Sequence, residues 1–168
     1  MNKFLISNIA RFVILVLLQV LILSNINFLG YINPYLYVFF ILLLPLNLSQ
    51  YKVIFFSFLI GLTIDTFEDS GGIHAAASVL IAYLRPSFLR FSFGISYEHQ
   101  TVKFHQTPFA QRFSYISLLV FIHHLVLFSL EIFDVNFIVL LLKKTLFSSL
   151  FTILLILIVT GLFQQNKK

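Results

Sequence analysis

The sequence predicts an all-α integral membrane protein, a single bundle over residues 1–168 with about six short transmembrane helices. Three observations predict it. Hydrophobic residues make up 60% of the 168 and charged residues only 10%, where a soluble domain carries about 25% charged. The mean hydropathy is +1.00. From Phe12 to Tyr51, forty consecutive residues carry no charged side chain, which is room for two crossings at ~20 residues each. A water-soluble fold of this length could not cover 22 Phe with so little polar surface. The same composition excludes a disordered chain, a coiled coil and a collagen-like repeat. The absence of Cys excludes disulfides, thiolate metal sites and a Cys nucleophile.

The spans follow in order. Gly30 and Asn33-Pro34 are turn signals inside the long apolar run. They divide it into span 1, 9–28, and span 2, 34–48, with Pro45 a kink or helix end late in the second. No small-x-small cleavage site follows span 1, so it is expected to be retained. Span 3, 50–66, and span 4, 72–86, are short for a ~30 Å hydrocarbon core. A re-entrant pair is the alternative, but an acidic turn inside lipid is costly, which favours two crossings. Arg85 to Arg112 is more polar and holds Pro86 and Pro108. It reads as an exposed cytoplasmic loop, 87–112, with a short hairpin at Phe91-Ser92-Phe93. Span 5 is 113–130 and span 6 is 138–163.

Charge gives the expected orientation. With six spans and a cytoplasmic N-terminus, nine basic residues fall inside: Lys3, Arg11, Lys52, Arg85, Arg90, Lys103, Arg112, Lys167 and Lys168. Only Lys143 and Lys144 fall outside, with five of the six acids. This is a positive-inside asymmetry, and it places both termini in the cytoplasm. The net charge of +5 forms no basic stripe and accompanies no nucleic-acid motif, so no nucleic acid is expected as partner.

Polar chemistry concentrates in two stretches. In the first, Gly61 and Asp65 share a face of span 3, and Gly61 allows close approach of another helix. Gly71-Gly72 permits a tight turn into span 4, which brings His74 within reach of Asp65. Ala75, Ser78 and Ala82 make a small-residue stripe at helical spacing. The simplest role for Asp65 and His74 is to pair and fix the hairpin; ligand binding is the sharper alternative. In the second stretch, His124 and Glu131 are seven residues apart on one face. His123 and His124 could join Asp65 and His74 in a zinc site. Adjacent histidines point ~100° apart and no HExxH pattern occurs, which favours imidazoles bonded to backbone or facing a neighbouring helix. Lys143 and Lys144 can pair with Glu131 and Asp134 across the outer connection or snorkel at the interface. No phosphate-binding, dinucleotide or nucleophile-elbow motif is present. No catalytic residue, metal or cofactor is expected.

The Gly61-x-x-x-Asp65 pattern leading into Gly72-Ile73-His74-Ala75 resembles the span 3 to span 4 junction of the bacterial rod shape-determining protein MreD family. The chain's size, six short spans and inside N-terminus are similar to that family along almost the whole length. The resemblance implies a non-enzymatic scaffold in the bacterial inner membrane. Such a protein would bind MreC and support lateral peptidoglycan synthesis and rod shape, within an assembly that includes MreB, RodA and a transpeptidase. It also implies a fold similar to the substrate-binding subunits of energy-coupling-factor transporters. On this reading the Asp65 to His74 region positions MreC. Arg90, Lys103 and Arg112 meet cytoplasmic partners or the headgroups of membrane lipids. The alternative is a vitamin-type substrate-binding subunit of a transporter. Against it, span 1 has only Ala10 among bulky residues, without an Ala-x-x-x-Ala packing motif. An intramembrane enzyme using His and carboxylates is a third class.

Overall fold

The computed structural model describes residues 3–46, 48–94 and 107–165. Asn47, Glu98, Lys103, Lys167 and Lys168 lie outside the described residues. The described chain has six α-helices: α1 (Lys3–Leu21), α2 (Val38–Leu43), α3 (Gln50–Glu68), α4 (Ile73–Phe93), α5 (Phe109–Ile132) and α6 (Ile138–Gln165). Four of them, α1, α3, α5 and α6, are long and apolar enough to cross a membrane. Their outer faces are greasy. Ile9, Val13, Leu17 and Leu21 on α1, and Leu146, Leu150, Leu154 and Ile158 on α6, are exposed. That is the surface of a protein solvated by lipid.

The helices α3, α4, α5 and α6 pack each on the next, and α1 lies against α3. With 19 residues in α3 and 21 in α4, these helices are about 28 and 31 Å long. Both are longer than the 50–66 and 72–86 spans that the sequence suggested.

Three segments differ from the sequence expectation. The expected span 34–48 contains only the six-residue α2. Pro45 has no N–H and pushes its predecessor out of the helical region, and Leu44 indeed stands at φ −56°, ψ 141°. Residues 35–42 are nonetheless the most enclosed part of the molecule, all buried, with Tyr37, Val38 and Ile41 at 0% exposure. They thread the inside of the bundle, from the Gln19 end of α1 to the Arg85 side chain of α4.

The second difference is at Pro86, where the sequence ends span 4 and begins an exposed loop. The helix instead continues to Phe93, which removes the proposed hairpin at Phe91-Ser92-Phe93. A proline at this position cannot donate to the carbonyl of Ala82. Gln50 of α3 supplies the donor: its Nε2 lies 2.9 Å from the Ala82 carbonyl and 3.3 Å from that of Tyr83. The third difference is at α5, which starts at Phe109, directly after Pro108. The expected 87–112 loop therefore loses its two flanks to helix.

Candidate functional site

At one end of the bundle α3 turns into α4. The turn is made by residues in the left-handed region: Asp69 at φ 51°, Gly71 at 67° and Gly72 at 96°. The two glycines take that conformation without a Cβ penalty. The turn folds back on the Asp65 carboxylate. Oδ1 accepts from the Ser70 hydroxyl at 2.5 Å, the His74 amide at 3.0 Å and His74 Nδ1 at 3.0 Å. Oδ2 accepts from the Ala75 amide at 2.8 Å. Asp65 thus satisfies amides at the start of α4 that have no partner within the helix, and its negative charge suits the positive end of the helix dipole. One turn below Asp65, Gly61 packs directly on α4. A Cβ there would lie 2.5 Å from the Ala75 Cα and 2.6 Å from the His74 carbonyl oxygen.

Polar contacts continue sideways. His74 Nε2 is 3.5 Å from Glu68 Oε2. The other Glu68 oxygen accepts from the Ser24 hydroxyl. Gln19 of α1 donates through Nε2 to Ser24 Oγ at 3.2 Å and to the Pro34 carbonyl at 3.1 Å. His74 Nε2 makes no hydrogen bond, so the ends of the helices are tied by two separate links: Ser24 to Glu68 joins α1 to α3, and Asp65 joins α3 to the start of α4.

A second buried polar group lies inside. The Tyr37 hydroxyl is 2.8 Å from His123 Nε2. His124 Nδ1 is 2.8 Å from the Val120 carbonyl. A carbonyl only accepts, so Nδ1 carries a proton, while Nε2 lies 3.0 Å from the Thr152 hydroxyl, which itself donates to the Ser148 carbonyl at 2.8 Å. Thr152 also accepts the Tyr35 amide at 3.0 Å. The Tyr35 ring packs edge-on or tilted against Tyr37, His74, His124 and Phe128, with centroids 5.4–6.3 Å apart. Such geometry suits the ring quadrupoles.

This placement sorts the residues that the sequence singled out. Gly61, Asp65, Gly72, His74 and Ala75 form one local unit, and Ser78 and Ala82 are buried below it. His124 lies inside with Thr152, whereas Glu131 turns outward and pairs with Lys144 at 2.6 Å. Lys144 also stands over the Phe128 ring, 4.9 Å from its centroid. The shared face of His124 and Glu131 thus makes no common site. Among the described residues no three His, Cys, Asp or Glu side chains gather to hold a metal. Ser70 and Asp65 both address the same nitrogen of His74. A nucleophile–base–acid relay needs opposite nitrogens, and this arrangement does not provide them. Arg90 is exposed near the end of α4, Arg112 is buried in the first turn of α5, and Lys103 lies outside the described residues. An exposed basic loop surface including Arg112 is therefore corrected: the helix start draws this side chain inward.

The sequence reading missed Arg85 most of all. It counts as one more cytoplasmic cation there, but it is 2% exposed. Its guanidinium donates to the Leu44 carbonyl, to the Pro45 carbonyl at 3.4 Å and to the Tyr115 hydroxyl at 3.0 Å. It closes the C-terminal end of α2, whose last carbonyls have no helical partner. Pro45 was the available signal: a proline ending a buried helix leaves carbonyls that some donor must meet. Gln19 and Thr152 carried no signal beyond being polar in an apolar run.

No family model, no curated protein and no solved structure matches the chain.

Proposed function

We propose that this chain is a non-enzymatic membrane scaffold of the MreD type, which binds MreC and supports the elongation machinery that builds lateral peptidoglycan. One observation carries the reading. The stretch on which the resemblance rests, Gly61 to Ala75, is a built unit in which every carboxylate contact of Asp65 serves to fix the hairpin. It is a shape device, without the geometry of a reaction centre. Asp65 and His74 are buried, so in this proposal they act by holding the turn. The groups left to meet a periplasmic partner are the exposed Phe67 and Asp69 beside it.

The wider arrangement fits. The acids Asp65, Glu68 and Asp69 sit at the α3–α4 turn, and the α5–α6 turn carries Glu131 and Asp134. Lys52, Arg90 and Arg112 lie in the terminal turns of α3, α4 and α5 that are remote from the α3–α4 turn, and Arg85 lies within α4, eight residues before its end. With the threading segment 34–48 taken as a crossing alongside α4 and the four long helices, the chain crosses six times. The positive-inside rule then puts both termini in the cytoplasm of a bacterium and the Asp65 turn outside. A fold similar to the substrate-binding subunits of energy-coupling-factor transporters belongs to the same proposal. So does membership of an assembly with MreB, RodA and a transpeptidase.

The test is co-purification. Phe67→Ala with Asp69→Ala is expected to lower MreC recovery while the protein stays monodisperse. Asp65→Ala with His74→Ala is expected to lower it further by loosening the hairpin. Full MreC recovery and normal rod shape with both pairs replaced would remove the reading.

A further inference from the structure

A cleft of about 390 Å³ lies between the first turns of α1, the end of α2 and the first turns of α3. This is within the range of small-ligand sites, roughly 300–1,000 Å³. Ile9, Phe12, Phe40, Leu44 and Phe56 form its walls, and among the described residues Asn8 is the one polar side chain lining it. Ile9 is 55% exposed, so the cleft opens sideways, toward where lipid would lie.

Two cations neighbour the lining residues. Arg11 Nη1 stands 3.5 Å from the Asn8 side-chain oxygen. Lys52 is exposed and lies four residues before Phe56, on the same face of α3. Among the described residues, neither Arg11 nor Lys52 pairs with a carboxylate. By contrast, Lys144 at the other end of the molecule has its acid partner in Glu131.

We propose that this cleft binds one anionic phospholipid, with an acyl chain against Phe12, Phe40 and Phe56 and the phosphate between Arg11 and Lys52. Charge complementarity selects this occupant. A neutral apolar helix from another protein would fill the walls but leave two cations without counter-charge. A zwitterionic lipid would bring its own ammonium group to the same two cations. The proposal is independent of the scaffold reading, since it concerns lipid retained by the chain alone.

The experiment uses the whole chain purified in detergent, loaded with phosphatidylglycerol or phosphatidylcholine of identical acyl chains. Bound lipid is counted by native mass spectrometry. Phosphatidylglycerol is expected to be retained preferentially. Arg11→Gln and Lys52→Gln are each expected to weaken that preference about fivefold, the scale of one basic group at an anionic headgroup. Arg11→Lys should keep most of it. Leu59→Trp, which fills the cleft without touching its charge, should displace the lipid. Size-exclusion behaviour matching the wild type shows that each variant is folded. Equal retention of the two lipids, or an undiminished preference in the doubly neutralised protein, overturns the proposal. So does a protein helix cross-linked into the cleft in native membranes.

Discussion

The α3–α4 hairpin and the broken segment 33–45 both bring backbone polar groups into an apolar bundle, and they satisfy them in opposite ways. The hairpin is self-sufficient. Asp65, Ser70, His74 and Ala75 complete one another within ten positions of the chain. The broken segment depends on distant helices. Ser148 receives the Asn33 amide at 3.3 Å, Thr152 the Tyr35 amide, Gln19 reaches the Pro34 carbonyl, and Arg85 closes the far end. Irregular backbone at membrane depth is tolerated only when enclosed by protein. Here the enclosing helices α1, α4 and α6 each supply a polar side chain to the segment inside. The contrast teaches that polar residues in the spans of this protein are mostly donors and acceptors for its own backbone.

The largest expected effect is on the dependent region. Arg85→Met keeps much of the side-chain volume and removes the guanidinium donors at the end of α2, leaving the Pro45 carbonyl only the Leu48 amide at 3.3 Å. It should destabilise the protein by roughly 3–5 kcal/mol, the combined cost of carbonyls stripped of a charged donor in a dry site. Reversible unfolding in mixed micelles measures it. Unchanged stability would show that α2 closes without help and would erase the contrast.

Next is the self-sufficient region. Gly61→Ala sets a methyl against backbone and is expected to cost about 1–3 kcal/mol by overpacking. Adding Ala75→Gly should not rescue it, because the clash is with the Ala75 Cα and the His74 carbonyl. Rescue in the double variant would mean that the seam is held by side chains instead.

Thr152→Val orphans the Tyr35 amide and His124 Nε2 together, and should cost ~1–3 kcal/mol. Thr152→Ser should restore most of it. If serine fails, the methyl group matters more than the hydroxyl, and the segment is held by packing.

The smallest effect belongs to neither region. Glu131→Gln breaks the pair with Lys144 at the exposed α5–α6 turn, where such pairs are worth about 0–1 kcal/mol. The small difference should shrink further in high salt. A loss comparable to that from Gly61→Ala would place a structural joint where the geometry shows only a surface pair.

The hairpin was legible because its information is local. A glycine one helical turn before an aspartate, a double glycine and a histidine at the next helix start bring the partners together by helix geometry alone. The interior was illegible for the converse reason. Nothing near Thr152 in the chain announces that it will meet Tyr35, 117 residues away. The same reason explains Pro86. Proline marks a helix end by local rules, and only the packing of α3 beside α4 brings Gln50 to the orphaned carbonyl.

Composition and local spacing by themselves determined that the chain is helical and belongs in lipid, and where Asp65 meets His74. These follow from transfer energies and from the fixed rise and turn of a helix, neither of which needs to know the neighbours. Tertiary structure alone decided that the second apolar stretch would break into a six-residue helix. It also decided that Arg85 would turn inward and that Arg11 and Lys52 would neighbour the residues lining a cleft. A buried backbone group must find a partner somewhere, and which side chain reaches it depends on how the helices lie together.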